Sequence, residues 1–213
     1  MSDQGMTHDV QVQAAHYLRP SYLFPERWAS YWHQIDAVRS TKPARVLEIG
    51  VGNGIVAQTL SKIGIAVDTL DIDPELRPTY VGSLVQMPLP DGAYDTVLCA
   101  EVLEHLPWEQ FRTAVAEIHR VASKHAVITV PHAGYVFSVI FKLPLLPTVS
   151  WCVKLPFFWQ THEFNGQHYW ESGKRGYSRA RIRREIEKAG FRVRSARIHP
   201  DSPAHFCLIC DKV

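Results

Sequence analysis

Apolar residues recur along the chain in two alternating patterns. Near-continuous apolar runs are typical of strands buried on both faces of a sheet, and they occupy residues 46–49, 96–100 and 125–130. Residues 66–71 predict a further strand. Apolar residues at three- and four-residue intervals predict amphipathic helices at residues 25–38, 55–63, 109–121 and 178–189. Strands that alternate with helices indicate an α/β fold with a mostly parallel sheet and helices on both faces.

The last two predicted strands break this alternation. Residues 191–198 and 205–210 follow each other without a helix between them, which predicts a C-terminal antiparallel hairpin. The second strand contains Cys207 and Cys210, at a spacing found in redox and zinc sites. Because residues i and i+3 of a strand point to opposite faces, we expect both cysteines to serve packing instead.

Three glycines follow the first strand at alternate positions, Gly50, Gly52 and Gly54. A dinucleotide loop requires its third glycine one residue later, where this chain has Ile55. The carboxylate of Glu48, just before the glycines, would also repel a pyrophosphate. It suits a ligand with a positive charge, and S-adenosylmethionine (SAM) carries both a sulfonium and an ammonium group.

A second acid, Asp71, ends the next predicted strand. A carboxylate at this place can accept hydrogen bonds from both hydroxyls of a ribose. The helix between the two strands ends at Gly64, which is a typical C-cap. Strand, glycine loop, helix, strand and acid thus form one βαβ unit with a ligand site at the carboxyl ends of its strands.

Residues 46–54, 69–74 and 89–98 resemble, in order and spacing, successive motifs of the class I SAM-dependent methyltransferases, and within them of the type 11 group. The resemblance implies a Rossmann-like fold with a seven-stranded sheet and SAM across the ends of its first four strands. The cofactor contacts that it implies are Glu48, Gly50, Gly52, Asn53, Gly54, Asp71, Ile72, Ser83, Leu84 and Glu101. One contact departs from the family, because Ser83 and Leu84 stand where an acid often reaches the adenine amino group.

The loop after the fourth predicted strand faces the methyl group in this fold and contains Glu101, Glu104 and His105. On a helical turn these positions share a face, where they can hold a divalent cation such as Mg²⁺. The cluster is similar to one in ubiquinone-pathway O-methyltransferases and small-RNA 3′-end 2′-O-methyltransferases, in which a later histidine joins the metal site. His168 lies where that histidine is expected, ahead of His132 or His162.

The same loop also has a simpler interpretation, in which it packs the helix and frames the pocket without a metal. His105 or His168 is then the candidate general base, because an imidazole titrates near neutral pH. Glu101 is the third candidate catalytic residue.

Two regions of the single predicted domain, 1–213, lie outside the minimal fold. Residues 1–42 are expected to form a helical arm that packs on the domain or covers the cofactor. Residues 132–172 form an insert whose stretch 135–159 is apolar and aromatic, but too interrupted by proline and lysine for a membrane-spanning helix. This stretch is interpreted as a packed lid, as an apolar acceptor pocket, or as an interface with a membrane surface or partner protein.

The composition fits one globular domain of 213 residues, 46% of them hydrophobic and 21% charged. A net charge of +2 argues against a large nucleic-acid surface, and the basic residues at 174–184 are interpreted as a solvated helix face. Since the N-terminus has no apolar leader and the four cysteines show no disulfide framework, we expect a cytoplasmic protein.

The sequence therefore predicts a SAM-dependent methyltransferase that acts on an oxygen of a small apolar or aromatic acceptor. One alternative is a metal-dependent RNA 2′-O-methyltransferase, which the acidic–histidine loop and the basic helix favour. Another is a non-catalytic SAM-binding scaffold that docks through residues 135–159, with a homo-oligomer or a peripheral membrane contact as its consequence.

Overall fold

Seven strands form the central sheet of the protein, seen in a computed structural model that describes residues 10–146 and 148–213. They are β1 Arg45–Ile49, β2 Ala66–Asp71, β3 Tyr80–Val81, β4 Tyr94–Ala100, β5 Ala122–Pro131, β8 Phe191–His199 and β9 Ser202–Lys212. A separate two-stranded sheet pairs β6 Gly134–Phe141 with β7 Val149–Pro156. The helices are α1 Ala14–Tyr17, α2 Pro25–Ser40, α3 Ile55–Lys62, α4 Phe111–Val121 and α5 Arg179–Lys188.

The strand order across the sheet is β3-β2-β1-β4-β5-β9-β8. All neighbours from β3 to β5 are parallel, whereas β9 is antiparallel to both β5 and β8. The predicted fold class, with its C-terminal antiparallel hairpin, is therefore confirmed. The order changes direction between β1 and β4, and open α/β sheets bind ligands beyond the carboxyl ends of the strands at such a point.

Two apolar cores cover the two faces of the sheet. Ile35 of α2 and Leu60 of α3 pack with Leu98 of β4 on one face, and Val115 of α4 and Ile186 of α5 lie in the core on the other. Each helix turns its apolar stripe inward, as the helical spacing predicts. Helices thus lie on both faces, and the strands between them have apolar side chains in both directions.

The two cysteines of β9 belong to different cores. Cys207 packs in the core of α2 and α3, whereas Cys210 packs in that of α4 and α5. Both thiols are free, and burial raises the pKa of each to about 12, so both are protonated at neutral pH. The expected packing role on opposite faces is confirmed.

Most element bounds lie within a few residues of the predicted ones, and α2 runs two residues beyond the prediction to Ser40. The predicted helix 109–121 begins as a separate 3-10 turn, Trp108–Gln110, before α4. Helix α5 begins after Ser178, whose hydroxyl accepts a hydrogen bond from the N–H of Arg181 at 3.2 Å. This N-cap satisfies a donor that the first turn leaves free.

The insert 132–172 contains the β6–β7 hairpin, and Pro147 lies outside the described residues, as do residues 1–9 of the predicted arm. Every residue of β6 after Gly134 is exposed, and neither strand lines the cavity described below. A packed lid, an acceptor pocket and an interface all stay predictions for the hairpin. Among the described residues, none of the helices is long and apolar enough to span a membrane.

Candidate active site

The loop between β1 and α3 brings backbone close to a cavity at the carboxyl edge of the sheet. Gly50 has φ +81°, and its N–H donates to the carbonyl of Leu70 at 2.9 Å. A Cβ atom at this position would clash with Cγ2 of Val102. Only glycine fits, because it lacks that atom and adopts positive φ at little cost.

The cavity lies beyond β1, β2 and β4. The predicted cofactor residues that line it are Glu48, Gly50, Gly52, Asn53, Asp71, Ile72, Ser83, Leu84 and Glu101. Gly54 is an exception among the predicted residues. It takes a left-handed conformation as the N-cap of α3 and does not line the cavity. Its cofactor contact stays a prediction.

Asp71 is held by the backbone on either side of the cavity. Its Oδ2 accepts from the N–H of Val51 at 2.8 Å and its Oδ1 from the N–H of Asp73 at 2.9 Å. Burial raises the pKa of this carboxyl from its usual value, against the effect of these backbone donors. Each oxygen has a second lone pair, so a fixed acceptor remains for two ligand hydroxyls.

Glu48 is buried, with 4% of its surface exposed, although it lines the cavity. Its Oε2 has no hydrogen-bond partner among the described residues. Burial raises the pKa of this carboxyl to about 8, although the backbone N–H of Ala57 in α3 acts to lower it. A buried carboxylate without a full set of partners is unfavourable, and a cationic ligand group would remove that penalty.

Three tyrosines from the N-terminal region also line the cavity, Tyr17, Tyr22 and Tyr31. Tyr17 and Tyr22 pack edge to face, with ring centroids 5.4 Å apart, and the hydroxyl of Tyr31 accepts from Nδ2 of Asn53 at 3.0 Å. Burial is the largest cause that raises the pKa of each phenol, so all three are neutral donors at pH 7. None of the three is among the predicted cofactor residues, but all belong to the arm 1–42 that was expected to pack on the domain or cover the cofactor.

Glu101 occupies the end of β4 in a strained conformation. It has φ +56°, which is uncommon for a residue with a side chain. Its Oε1 accepts from the hydroxyl of Thr129 at 2.9 Å. The next residues form a 3-10 turn, Leu103–His105, rather than the helical turn that the spacing predicts. The prediction that Glu101, Glu104 and His105 share one face is therefore wrong for Glu101.

Glu104, His105 and His168 do converge, with one ligand atom from each within 4.8 Å of the others; we call them the carboxylate–histidine cluster. Glu104 is completely buried, and neither of its carboxylate oxygens has a hydrogen-bond partner among the described residues. Burial, followed by the charge of Glu101, raises the pKa of Glu104 well above its usual value. His105 also lines the cavity, so the cluster adjoins it.

Hydrogen bonds fix the orientation of both imidazoles. Nδ1 of His105 lies 3.0 Å from the carbonyl oxygen of Gln167, and Nδ1 of His168 lies 3.2 Å from Oε1 of Glu171. Because both oxygens are acceptors, each Nδ1 carries the proton, which leaves Nε2 with a free lone pair in the neutral ring. Burial and the neighbouring His168 lower the pKa of His105 to about 4, so it is neutral at pH 7.

The segment that carries His168 is tied to the loop after β4. The N–H of Tyr169 donates to the carbonyl of Glu104 at 2.8 Å. Trp170 is completely buried, and its indole N–H donates to the carbonyl of Leu106 at 3.2 Å. A large buried side chain two residues from His168 therefore fixes the position of the histidine.

Glu171 is a functional candidate that the sequence analysis missed. Its hydrogen bond to His168 and the ammonium of Lys174, 3.0 Å away, lower the pKa of Glu171 to about 2. Nε2 of His162 is engaged by the carbonyl of His168 at 2.9 Å, so His162 supports this segment rather than joining the cluster. The spacing of His168 and Glu171, three residues apart, was the signal available in the sequence.

The cluster fits a divalent metal ion. Within the described residues, neither carboxylate oxygen of the buried Glu104 has a hydrogen-bond partner, and one nitrogen of each of the two imidazoles lies close to it. A carboxylate at the back of one imidazole, as Glu171 provides for His168, is a usual second layer of a metal site. Since imidazole ligands suit Zn²⁺, Fe²⁺ or Mn²⁺ better than Mg²⁺, the donor set favours a transition-metal ion.

Helix α5 does not present its basic residues as a free phosphate-binding row. Arg183 pairs with Glu187 at 2.8 Å and Lys188 with Glu185 at 2.9 Å, while Arg112 of α4 also pairs with Glu185. These pairs agree with a solvated helix face. They give no support to the nucleic-acid alternative.

Residues 47–130 match the protein family described as "Methyltransferase domain". The ubiquinone biosynthesis O-methyltransferase of Xanthomonas euvesicatoria pv. vesicatoria (strain 85-10) is 34% identical over 79 residues. That match covers 30% of this chain and 33% of that protein, so the chain spans about a third of the length of the curated relatives it matches.

Two similar solved structures are methyltransferases with S-adenosylhomocysteine bound. The 1,6-didemethyltoxoflavin-N1-methyltransferase of Burkholderia thailandensis has a TM-score of 0.55 at 14% identity, covering 90% of this chain and 91% of that chain. N-methyltransferase NodS of Bradyrhizobium japonicum WM9 has a TM-score of 0.58 at 12% identity, covering 88% of each chain. At these identities the likeness concerns the fold, and it agrees with the sheet described above.

Proposed function

Because the chain belongs to the class I SAM-dependent methyltransferases, we propose that it transfers the methyl group of SAM to an oxygen of a small acceptor, next to a divalent metal ion. The family, predicted from residues 46–54, 69–74 and 89–98, is confirmed by the match over residues 47–130. The observation that carries the proposal is the Glu104 carboxylate, which is fully buried, unpaired among the described residues, and beside two histidines.

The cavity provides the donor side. We assign the ribose of SAM to Asp71 and its positively charged groups to the region of Glu48. Asp71 offers fixed acceptor oxygens, and Glu48 offers a buried carboxyl whose ionised form a cationic group would stabilise. The tyrosines of the N-terminal region, which line the same cavity, exclude water around the bound donor.

The carboxylate–histidine cluster provides the acceptor side. Glu104, His105 and His168 would hold the metal ion through one carboxylate and two Nε2 atoms. When bound, such an ion lowers the pKa of a coordinated hydroxyl and orients it. Glu171 keeps His168 in the tautomer that has a free Nε2.

The transfer itself is a displacement at carbon. The acceptor oxygen attacks the methyl carbon, the bond from that carbon to sulfur breaks, and its electron pair stays on sulfur as S-adenosylhomocysteine forms. The acceptor hydroxyl loses its proton to a base. We assign that role to the carboxylate of Glu101, which follows β4 and lines the cavity. The protein positions donor and acceptor in line, which is its main contribution to the rate.

An oxygen acceptor is supported by the donor set and by the curated relatives. A hard hydroxyl or phenolate oxygen is a good ligand for a divalent ion next to the donor cavity. The curated relatives that match about 30% of this chain are named ubiquinone biosynthesis O-methyltransferases. A small aromatic acceptor with two adjacent hydroxyls would be the best ligand for such an ion, because the acceptor can bind through both of its oxygens.

Two measurements test the proposal. Isothermal titration of the metal-stripped protein with SAM should show binding, and no detectable binding at millimolar SAM would contradict the donor side. Turnover of a dihydroxy aromatic compound should fall on addition of a chelator and return with Zn²⁺ or Mn²⁺, whereas its monohydroxy analogue should react poorly. Turnover that is equal with and without the chelator would contradict the metal while leaving methyl transfer intact.

A further inference from the structure

The β6–β7 hairpin concentrates the exposed apolar surface of the protein. In the part of the chain that the structure describes, sixteen of the twenty-six exposed large apolar side chains lie between residues 135 and 164. Phe137 is 64% exposed and Trp151 is 56% exposed, and Leu145 in the turn is fully exposed. Soluble domains scatter such residues singly, so an accumulation in one hairpin indicates a surface that is covered by something else.

The register of the hairpin sorts its residues into two unlike faces. Directly paired residues share a face, and eight of them form four wholly apolar pairs: Tyr135 with Leu155, Phe137 with Val153, Val139 with Trp151 and Phe141 with Val149. We call these eight residues the apolar face. The other face pairs Ser138 with Cys152, and Ile140 with Ser150, and is mixed in character.

The mixed face is the one that contacts the domain. Lys154 belongs to it, and its ammonium donates to the carbonyls of His132 and Pro203, next to the sheet. All eight residues of the apolar face are exposed, whereas Cys152 and Lys154 are partly buried. The apolar face therefore points away from the domain, and within the described residues nothing covers it.

Basic residues surround the base of the hairpin. Arg175 is bonded through its N–H to the carbonyl of Gln160, just beyond β7, and Arg179 lies close enough to lower the pKa of both His132 and Lys154. Arg175 and Arg179 are exposed and have no ion-pair partner among the described residues. From 132 to 188 the sequence has nine Lys or Arg against four Glu, although the whole chain has a net charge of only +2.

We propose that the apolar face of the β6–β7 hairpin docks on the surface of an anionic lipid bilayer, with Arg175 and Arg179 against the headgroups. The exposed aromatic rings, Tyr135, Trp151 and Trp159, suit the boundary between headgroups and acyl chains. The leucines of the turn, Leu143, Leu145 and Leu146, are the aliphatic groups that enter the acyl region.

The depth of insertion is limited by the backbone. A two-stranded hairpin has two outer edges whose N–H and C=O groups lack partners in hydrocarbon, where each costs several kcal/mol. The hairpin therefore lies in the interfacial layer, where water and headgroups satisfy these groups, and does not cross the membrane. Positive charge at the base then adds to the apolar contact, as in other peripheral anchors.

Flotation with lipid vesicles tests the proposal, and it needs neither SAM nor an acceptor. The whole chain should float with vesicles that contain phosphatidylglycerol, bind less to vesicles of phosphatidylcholine alone, and be released in part by salt. Phe137→Asp and Leu145→Asp should each lower the bound fraction by about tenfold or more, because a charge in the interfacial layer opposes insertion. Arg175→Glu should weaken binding to the anionic vesicles alone.

Matched controls separate this effect from misfolding and from self-association. Ile63→Asp alters an exposed apolar residue at the end of α3 and should leave flotation unchanged. All these side chains are exposed, so circular dichroism should be the same for every variant. No flotation with any vesicle would overturn the proposal. A second result would also overturn it: light scattering shows a dimer, Phe137→Asp makes the protein monomeric, and flotation is absent. The apolar face would then be covered by a second copy of the chain.

Discussion

Glu48 and Glu104 are both buried glutamates with unpaired carboxylate oxygens among the described residues, but their surroundings differ. Glu48 lines an open cavity and is partly compensated by the N–H of Ala57. Glu104 lies outside the cavity wall, beside His105 and His168. A bound cation would stabilise either carboxylate, and the space around each one decides which cation can reach it. The cavity beside Glu48 admits an organic group, whereas the enclosed cluster around Glu104 admits a metal ion.

The largest effect is expected from Glu104→Gln. This change removes a metal ligand but keeps the volume of the side chain, so methyl transfer should fall by more than about 100-fold, which exceeds the usual effect of a second-layer residue. The metal-free variant should be at least as stable as the unaltered protein, because a neutral amide replaces a buried unpaired carboxyl. Turnover assays and thermal unfolding with and without Zn²⁺ measure both consequences.

Glu109→Gln is the matched control, since Glu109 is an exposed glutamate close by in the chain. It should leave turnover and the metal-induced rise in Tm unchanged. A Glu104→Gln protein that keeps full turnover, or keeps the rise in Tm with Zn²⁺, would remove the distinction between the two glutamates.

On the donor side, Asp71→Asn should weaken SAM binding by about 10- to 100-fold, because hydrogen bonds to a charged group contribute about 1.5–3 kcal/mol. The amide also offers one acceptor where two N–H groups, of Val51 and Asp73, now bind. Isothermal titration measures the change, with the exposed Asp36→Asn as control. Zn²⁺ binding should stay unaltered, and a parallel loss of both ligands would indicate a collapsed loop instead of a lost contact.

A smaller effect, the release of a proton when SAM binds, distinguishes Glu48 from Glu104. The pKa of Glu48 is about 8 in the free protein, so its carboxyl is mostly protonated at pH 7. A cationic ligand lowers that pKa, and SAM binding should therefore release most of one proton. Titration in buffers with different ionisation enthalpies measures the release. Glu48→Gln should remove it, and an equal release in both proteins would show that the proton comes from another group.

The donor side could be predicted from the sequence almost residue by residue, because it lies in one βαβ unit. Once β1 and β2 are identified as neighbouring parallel strands, Glu48, Gly50 and Asp71 must meet at one edge of the sheet. Gly54 is the N-cap of α3, and the spacing of glycines does not show which of them begins the helix. Tyr17 and Tyr22 reach the cavity only because the arm packs there, and local residue spacing does not predict that packing.

The acceptor side was harder because its residues come from segments far apart in the chain. His168 joins Glu104 through a backbone contact of Tyr169 and through the burial of Trp170. Only the family resemblance indicated that pairing in advance. Glu101 was misplaced because helical spacing was assumed where the chain takes a positive φ. Strands β6 and β7 were not predicted either, because apolar residues on the mixed face interrupt the alternation of apolar and polar residues that marks a strand.

The smallest effect is the pH dependence of stability, which has opposite signs for the buried acid Glu48 and the buried base His105. Because the folded-state pKa of Glu48, about 8, lies above its usual 4.5, its stabilising effect is present at low pH and lost as pH rises toward 8. The folded-state pKa of His105, about 4, lies below its usual 6.5, so its stabilising effect is lost as pH falls from 6.5 toward 4. Urea unfolding of the ligand-free protein should therefore show that Glu48→Gln gains stability relative to the unaltered protein at about pH 8, and that His105→Asn gains it at about pH 5, each by about 1–3 kcal/mol. Parallel profiles for the two variants would mean that burial does not shift the two pKa values in opposite directions, and the proton release assigned to Glu48 would lose its physical basis.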